Sequence, residues 1–193
     1  MKKEHLQTIR EALTQLHGEK LQQVTRAGSM ASFGFGAYVE KQVHRYNENR
    51  VLMAKTITAP QLALHIDCSF RLTCGVDILV SKGDMFQPAS IVESEQDFDW
   101  DCFDWDVQGK NRFDEAVSRY FCEALGDFVV AKAAIGKWGD LKITFANGFV
   151  LETFTDSSGN EECWRFFEIG AETHVVVSGQ GLVQDEAVTE TQN

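Results

Sequence analysis

The sequence predicts one α+β domain, in which an antiparallel sheet, strongly twisted or curved into a partial barrel, carries two packed helices. Residues 139–181 contain four short segments of alternating apolar residues separated by turn residues, a pattern typical of antiparallel strands. Helical spacing of apolar residues occurs near the N-terminus and again over 111–126. The 193 residues are 44% hydrophobic, which is enough for a sizeable core.

The first element is an amphipathic helix over about residues 2–25. One face carries apolar residues three or four positions apart, namely Leu6, Ile9, Leu13 and Leu16. Gly18 is a candidate break, with Leu21 and Val24 continuing on a second helical segment. We expect this helix to pack on its own sheet, and a dimerisation or partner-binding helix is the alternative.

Strands are predicted next along the chain. The Gly-containing stretch 27–36 begins a strand, and 38–46 and 51–56 continue as further strands. A hairpin then joins 61–72 to 76–80 through the three residues between them.

A second helix is predicted over 111–126, with Asn111 as its N-cap and Asp114 at the capping-box position. Residues 129–135 are either a short strand or a continuation of this helix, because periodicity does not separate the two.

A four-stranded meander completes the predicted fold. Its strands are 140–146, 149–155, 163–169 and 174–179. Asn147-Gly148 is its strongest turn signal, because a type I′ turn needs positive φ at both central residues. The domain is expected to span 1–183, with 184–193 as a frayed tail.

Charge and cysteine usage limit the partners and the compartment. The net charge of −11 argues against nucleic acid or an anionic membrane and permits a basic protein partner. Five cysteines without a C-x-x-C pair indicate reduced thiols rather than a disulfide framework. The N-terminus lacks an apolar signal region, and no apolar run is long enough for a membrane helix. We therefore expect a cytoplasmic protein.

Residues 93–106 form an acidic-aromatic segment in which aspartates alternate with Phe and Trp. Aromatic residues anchor protein interfaces and carboxylates attract a basic partner. The predicted partner-binding residues are Trp100, Asp101, Asp104, Trp105 and Asp106. The alternative is a solvated acidic edge whose aromatic rings turn inward.

The same region approaches a calcium-loop pattern. Asp104, Asp106, Gln108, Gly109 and Glu115 fall at loop positions one, three, five, six and twelve. The stretch differs from a calcium loop in having Gln108 at position five and Asn111, instead of an apolar residue, at position eight. No clear helix leads into it. The predicted metal ligands are Asp104, Asp106 and Glu115; no other cofactor is predicted.

Polar residues on predicted strands suggest a small-ligand site. His65, Asp67 and Arg71 are placed on one face of the predicted strand 61–72. Arg165 and His174 lie on the meander and complete the set of candidate ligand-binding residues. For each group a structural role is the alternative, either as a solvated sheet face or as cross-strand ion pairs.

Arg165 lies between aromatic residues, and its guanidinium is expected either to stack on them or to form an ion pair with a strand neighbour such as Glu152. The sequence contains no G-x-S-x-G or H-E-x-x-H motif. No catalytic residue is therefore predicted, and an enzyme with a site around His65 and Arg71 is the least favoured function.

Several stretches carry a resemblance to a known family. They are LHIDCSFR at 64–71, DWD at 104–106, NRFDE at 111–115, LKITF at 141–145, NG at 147–148, ECWRFF at 162–167 and HVVVSG at 174–179. On these residues the chain resembles a family of uncharacterised bacterial proteins, with Phe70 where a Trp is more usual. Some similar proteins are of the immunity type, which neutralises a toxin by binding it. The resemblance implies a non-enzymatic binding protein, and a ligand- or metal-binding domain is the alternative.

Overall fold

The structure, a computed structural model, describes residues 1–46, 52–121 and 127–184. These residues form three α-helices and eleven strands in two antiparallel sheets, which confirms the α+β prediction. The helices are α1 (Lys3–Leu13), α2 (Ser90–Glu93) and α3 (Arg112–Tyr120). The strands are β1 (Leu21–Ala27), β2 (Met30–Tyr46), β3 (Leu52–Ile66), β4 (Ser69–Cys74), β5 (Asp77–Ser81), β6 (Val130–Ile135), β7 (Leu141–Phe145), β8 (Phe149–Phe154), β9 (Glu162–Glu168), β10 (Val175–Ser178) and β11 (Gly181–Gln184). Single turns of 3₁₀-helix cover Thr14–Leu16, Lys82–Phe86 and Trp100–Cys102.

The strands divide between a first sheet, with the order β1-β2-β3-β9-β10-β11, and a second sheet, with the order β5-β4-β8-β7-β6. The chain passes from the first sheet to the second between β3 and β4. At that point the backbone N–H groups of Asp67 and Cys68 both donate to the carbonyl of Cys163, at 2.9 Å each. The predicted strand 61–72 is thus two strands in different sheets. The predicted hairpin with 76–80 forms between β4 and β5.

All four strands of the predicted meander form, but their pairing corrects that prediction. β7 and β8 pair in the second sheet, whereas β9 and β10 pair in the first. A tight turn forms at the predicted place, but its central residues are Ala146 and Asn147, because the Gly148 N–H donates to Phe145 O at 3.0 Å. Gly148, with φ of 88°, is the last residue of the turn. The chain crosses from the second sheet to the first after Phe154. Buried apolar residues of both sheets form one hydrophobic cluster.

The core joins the inner faces of both sheets. The Phe33 and Phe70 rings, from the first and second sheets, meet edge to face at 6.1 Å. The buried Trp164 of β9 donates from Nε1 to Gly139 O at 2.8 Å, which ties the first sheet to the β6–β7 turn. Backbone bonds between 18–21 and 128–130 also link the two sheets at one corner. In the described part of the chain the sheets do not close into a barrel.

The N-terminal helix is shorter than predicted. α1 ends at Leu13, one 3₁₀ turn follows, and Leu21–Ala27 is a strand rather than a second helical segment. α1 packs against β6 and β11, and α3 packs against β5 and β1. No helix within the described ranges is both long and apolar enough to cross a membrane.

Three other boundaries differ or are extended. Residues 130–135 are strand β6, which decides between the two predicted alternatives. The end of the predicted helix at 122–126 lies outside the described residues, as does Val51. Strand β11 includes Gln184, where the tail was expected to begin, and 185–193 lie outside the described residues.

Candidate functional site

The acidic-aromatic segment, residues 93–106, connects α2 to the loop before α3 and lies outside both sheets. Its acidic residues are all exposed: Glu93, Glu95, Asp97, Asp99, Asp101, Asp104 and Asp106. Trp100 is 52% exposed, while Phe98, Phe103 and Trp105 are half-buried. Trp100 therefore does not turn inward, as the alternative expected of the aromatic residues, whereas the other three rings are partly covered.

Three of these rings form a compact ring cluster, defined as Phe98, Trp100 and Phe103. Ring centroids lie 5.4 Å apart for Phe98 and Trp100, and 6.1 Å apart for the other two pairs. Trp105 instead packs on Phe86, with centroids 4.9 Å apart. Such edge-to-face contacts hold the rings in place.

The cluster stands on a 3₁₀ turn, Trp100–Cys102, whose geometry is set by Asp99. The Asp99 carboxylate accepts from the backbone N–H of Asp101 at 3.0 Å, as an N-cap does. It also accepts from the Cys102 thiol at 3.4 Å, and this contact raises the pKa of Cys102.

Arg26 of β1 supports the end of the segment from within. Its side chain is 0% exposed. Nε donates to Asp114 Oδ1 at 3.0 Å, one terminal nitrogen donates to Asp106 Oδ1 at 3.0 Å, and the other reaches the carbonyls of Asp106 and Val107 at 3.1 Å. Burial alone would lower the pKa of Arg26, but the hydrogen bonds and charges of Asp114 and Asp106 outweigh it and raise that pKa.

Asn111 fixes the other side of the loop. It is fully buried; its amide nitrogen donates to Trp105 O at 3.0 Å and its oxygen accepts from Asp114 N–H at 2.9 Å. The predicted N-cap is confirmed. The Asp114 carboxylate, however, binds Arg26 and the N–H of Gly109 at 2.7 Å, where a capping box was expected.

The three predicted calcium ligands are each engaged by groups of the chain. Asp106 holds Arg26, and Asp104 accepts from the N–H of Asp106 at 3.0 Å. Glu115 accepts from the N–H and hydroxyl of Ser90, at 2.9 and 3.0 Å, and the backbone bond lowers its pKa. Among the residues that the structure describes, no three His, Cys, Asp or Glu side chains are grouped so as to hold a metal ion. Calcium binding stays a prediction.

Three of the predicted ligand-binding residues converge on the first sheet. His65 and Arg165 are cross-strand neighbours, and an Arg165 terminal nitrogen lies 3.3 Å from His174 Nδ1. The Phe167 ring stacks on His174 at 4.1 Å and meets His65 edge to face at 4.9 Å. Burial, and then the charge of Arg165, lower the pKa of His65. Arg165 is paired with Glu162, Nε to Oε1 at 2.6 Å.

The other two predicted ligand-binding residues lie elsewhere. Asp67 follows the end of β3 and contacts Lys82 Nζ at 3.3 Å. Arg71 is on the second sheet, where it pairs with Glu152 at 2.9 Å, and Lys142 binds the same carboxylate at 2.9 Å. The expected common face of His65, Asp67 and Arg71 is therefore wrong, because the chain changes sheets between them. Glu152 is the partner of Arg71 rather than of Arg165.

A groove of about 480 Å³ opens beside the ring cluster. One part of its lining is apolar, another is acidic, and Lys110 contributes a single cation. The sequence predicts neither this groove nor the binding of Asp106 and Asp114 by Arg26. The one available signal was the excess of aspartates over 97–106, a stretch that itself contains no Lys or Arg.

Comparisons of the chain with protein-family models, with curated proteins and with solved structures find no match. Its function is therefore inferred from geometry and chemistry.

Proposed function

We propose that this protein is a non-enzymatic binding module that holds a basic protein partner on its acidic-aromatic segment. The observation that carries the proposal is an exposed Trp100 surrounded by exposed carboxylates. Trp is enriched among residues that dominate binding energy, and carboxylates at the rim speed association with a basic surface and exclude acidic ones. The net charge of −11 acts in the same direction at longer range.

The side chains that hold the acidic-aromatic segment in place also favour binding. Arg26 and Asn111 fix the loop in the free protein through buried hydrogen bonds. The ring cluster adds aromatic contacts. A surface that is already ordered loses less conformational entropy when a partner docks.

The particular form of the proposal is an immunity-type bacterial protein that neutralises a toxin stoichiometrically, as the resemblance of the sequence implies. The proposed compartment is the cytoplasm. The free thiols of Cys68, Cys74, Cys102 and Cys163 support a reducing environment.

Affinity capture with matched variants tests the proposal. The test variant is Trp100→Ala with Asp101→Asn; the control is Trp138→Ala with Asp77→Asn, which makes the same changes at exposed positions on the second sheet. A basic protein captured by wild type and control is then purified and titrated. We expect the test variant to bind it about tenfold or more weakly. Equal binding by both variants would contradict the proposal.

A second candidate, a small-ligand site, is favoured by the convergence of His65, Arg165 and His174 around Phe167. Its test is a thermal-shift screen with carboxylates and phosphates, in which a bound ligand raises the melting temperature of wild type but not of His174→Ala. Calcium binding at Asp104, Asp106 and Glu115 is a separate alternative, which predicts heat on titration with calcium and loss of that heat in Asp104→Asn.

A further inference from the structure

We infer that the groove beside the ring cluster receives an arginine side chain of the partner. The inference rests on the proposed function and names the group that the partner must present. Two kinds of side chain, apolar and acidic, line the groove, and a single cation faces the acidic ones.

The apolar part of the lining consists of Val92, Phe98, Phe103 and Val107. Val92 is buried and the two Phe rings are half-buried, so they form a floor rather than a protruding knob. A guanidinium stacks on aromatic faces, and its aliphatic stem covers apolar surface. The floor therefore provides contacts for both parts of an arginine side chain.

The acidic part of the lining is formed by Glu95, Asp97, Asp99 and Asp104, against the single cation Lys110. Lys110 Nζ is 3.9 Å from Glu95, and both side chains are half exposed. An exposed pair at that distance is weak, so it is readily displaced. The unbalanced negative charge selects a cationic occupant.

Arginine fits this site better than lysine. Its planar cation is more weakly hydrated than an ammonium, stacks on rings and binds carboxylates with two parallel hydrogen bonds. The same loop already holds one guanidinium on its inner side, where Arg26 meets Asp106 and the carbonyl of Val107.

The test uses hexaarginine and hexalysine peptides as probes in calorimetric titrations of the whole protein. Asp97→Asn changes a groove residue, and Asp101→Asn makes the same charge change on the same segment outside the groove lining. We expect hexaarginine to bind more tightly than hexalysine. We expect Asp97→Asn to weaken hexaarginine about two- to fivefold, with a smaller effect of Asp101→Asn. Phe103→Leu should remove the preference for arginine, with thermal melting used to verify that it folds.

The outcomes separate this inference from the proposed function. Equal effects of Asp97→Asn and Asp101→Asn would indicate diffuse electrostatic attraction and would overturn arginine binding in the groove. Equal affinity for hexaarginine and hexalysine would overturn it as well. Failure of hexaarginine to bind would also overturn it. The proposed function is tested separately, by whether the captured partner binds the Trp100 variant more weakly than the Trp138 control.

Discussion

Replacing Arg26 by Met should destabilise the protein more than any surface charge change in the acidic-aromatic segment. Met keeps an unbranched side chain that extends to about the position of Nε, and it removes the cation. The arginine side chain is 0% exposed, and its five N–H groups make seven hydrogen-bond contacts, some of them shared between two acceptors. Its loss leaves Asp114, whose side chain is 14% exposed, as a poorly solvated carboxylate without its cation.

The magnitude follows from burial. Breaking a buried ion pair from one side costs about 3–5 kcal/mol. At about 2–4 °C per kcal/mol for a domain of this size, Arg26→Met should lower the melting temperature by roughly 6–20 °C. Asp106→Asn removes only the partner whose side chain is 57% exposed, so it should cost about 1 kcal/mol or less.

Urea unfolding followed by circular dichroism measures both free energies of unfolding. Arg26→Lys is the control, since it keeps the charge but lacks the five-donor fork, and it should fall between wild type and Arg26→Met. A free energy of unfolding for Arg26→Met within about 1 kcal/mol of wild type would contradict this role of Arg26, as would an Asp106→Asn variant that loses as much as Arg26→Met.

Three further predictions concern titratable groups. Because the pKa of His65 is lowered, the free energy of unfolding is highest above the ordinary histidine value of 6.5 and declines as the pH falls below it. In His65→Gln the urea midpoint should therefore change less between about pH 7.5 and 5.5. Hydrogen bonding to Lys142 lowers the pKa of Glu152, so the stabilisation by Glu152 is present above the ordinary value of 4.5 and is lost as the pH falls through the folded pKa. In Glu152→Gln the melting temperature should therefore fall less as the pH is lowered. A melting temperature with the same dependence on acid pH as wild type would count against the pair. Asp99 raises the pKa of Cys102; Asp99→Asn should therefore speed alkylation of this exposed thiol at fixed pH, measured by mass spectrometry, and an unaltered rate would contradict the assignment.

Local signals were predictable from the sequence, because the residues that create them are close together along the chain. The turn at Asn147-Gly148 and the Asn111 N-cap both depend on contacts within three residues. Pairing between distant strands has no such signal, which is why β8 and β9 were placed side by side in one meander.

Two errors have identifiable physical causes. The apolar alternation from Leu62 to Phe70 continues through the change of sheet, because both sheets face the same core. In β1, a register shift between Leu21 and Gln23 breaks the period of two. As a result Leu21 and Val24 acquire the spacing of a helix. Arg26 lies directly after the predicted helix, and its partner Asp114 is 88 positions further along the chain.

Docking of a basic partner on Trp100 can be detected directly by site-specific photo-cross-linking. A benzoyl-phenylalanine is placed at position 100 in one variant and at position 138, which is also exposed, in a second. Both variants are irradiated in the cells that produce the protein, and adducts are identified by mass spectrometry. We predict a discrete adduct with a basic protein at position 100 and none at position 138. An adduct at position 138 alone, or the same absence of adducts at both positions, would contradict the claim.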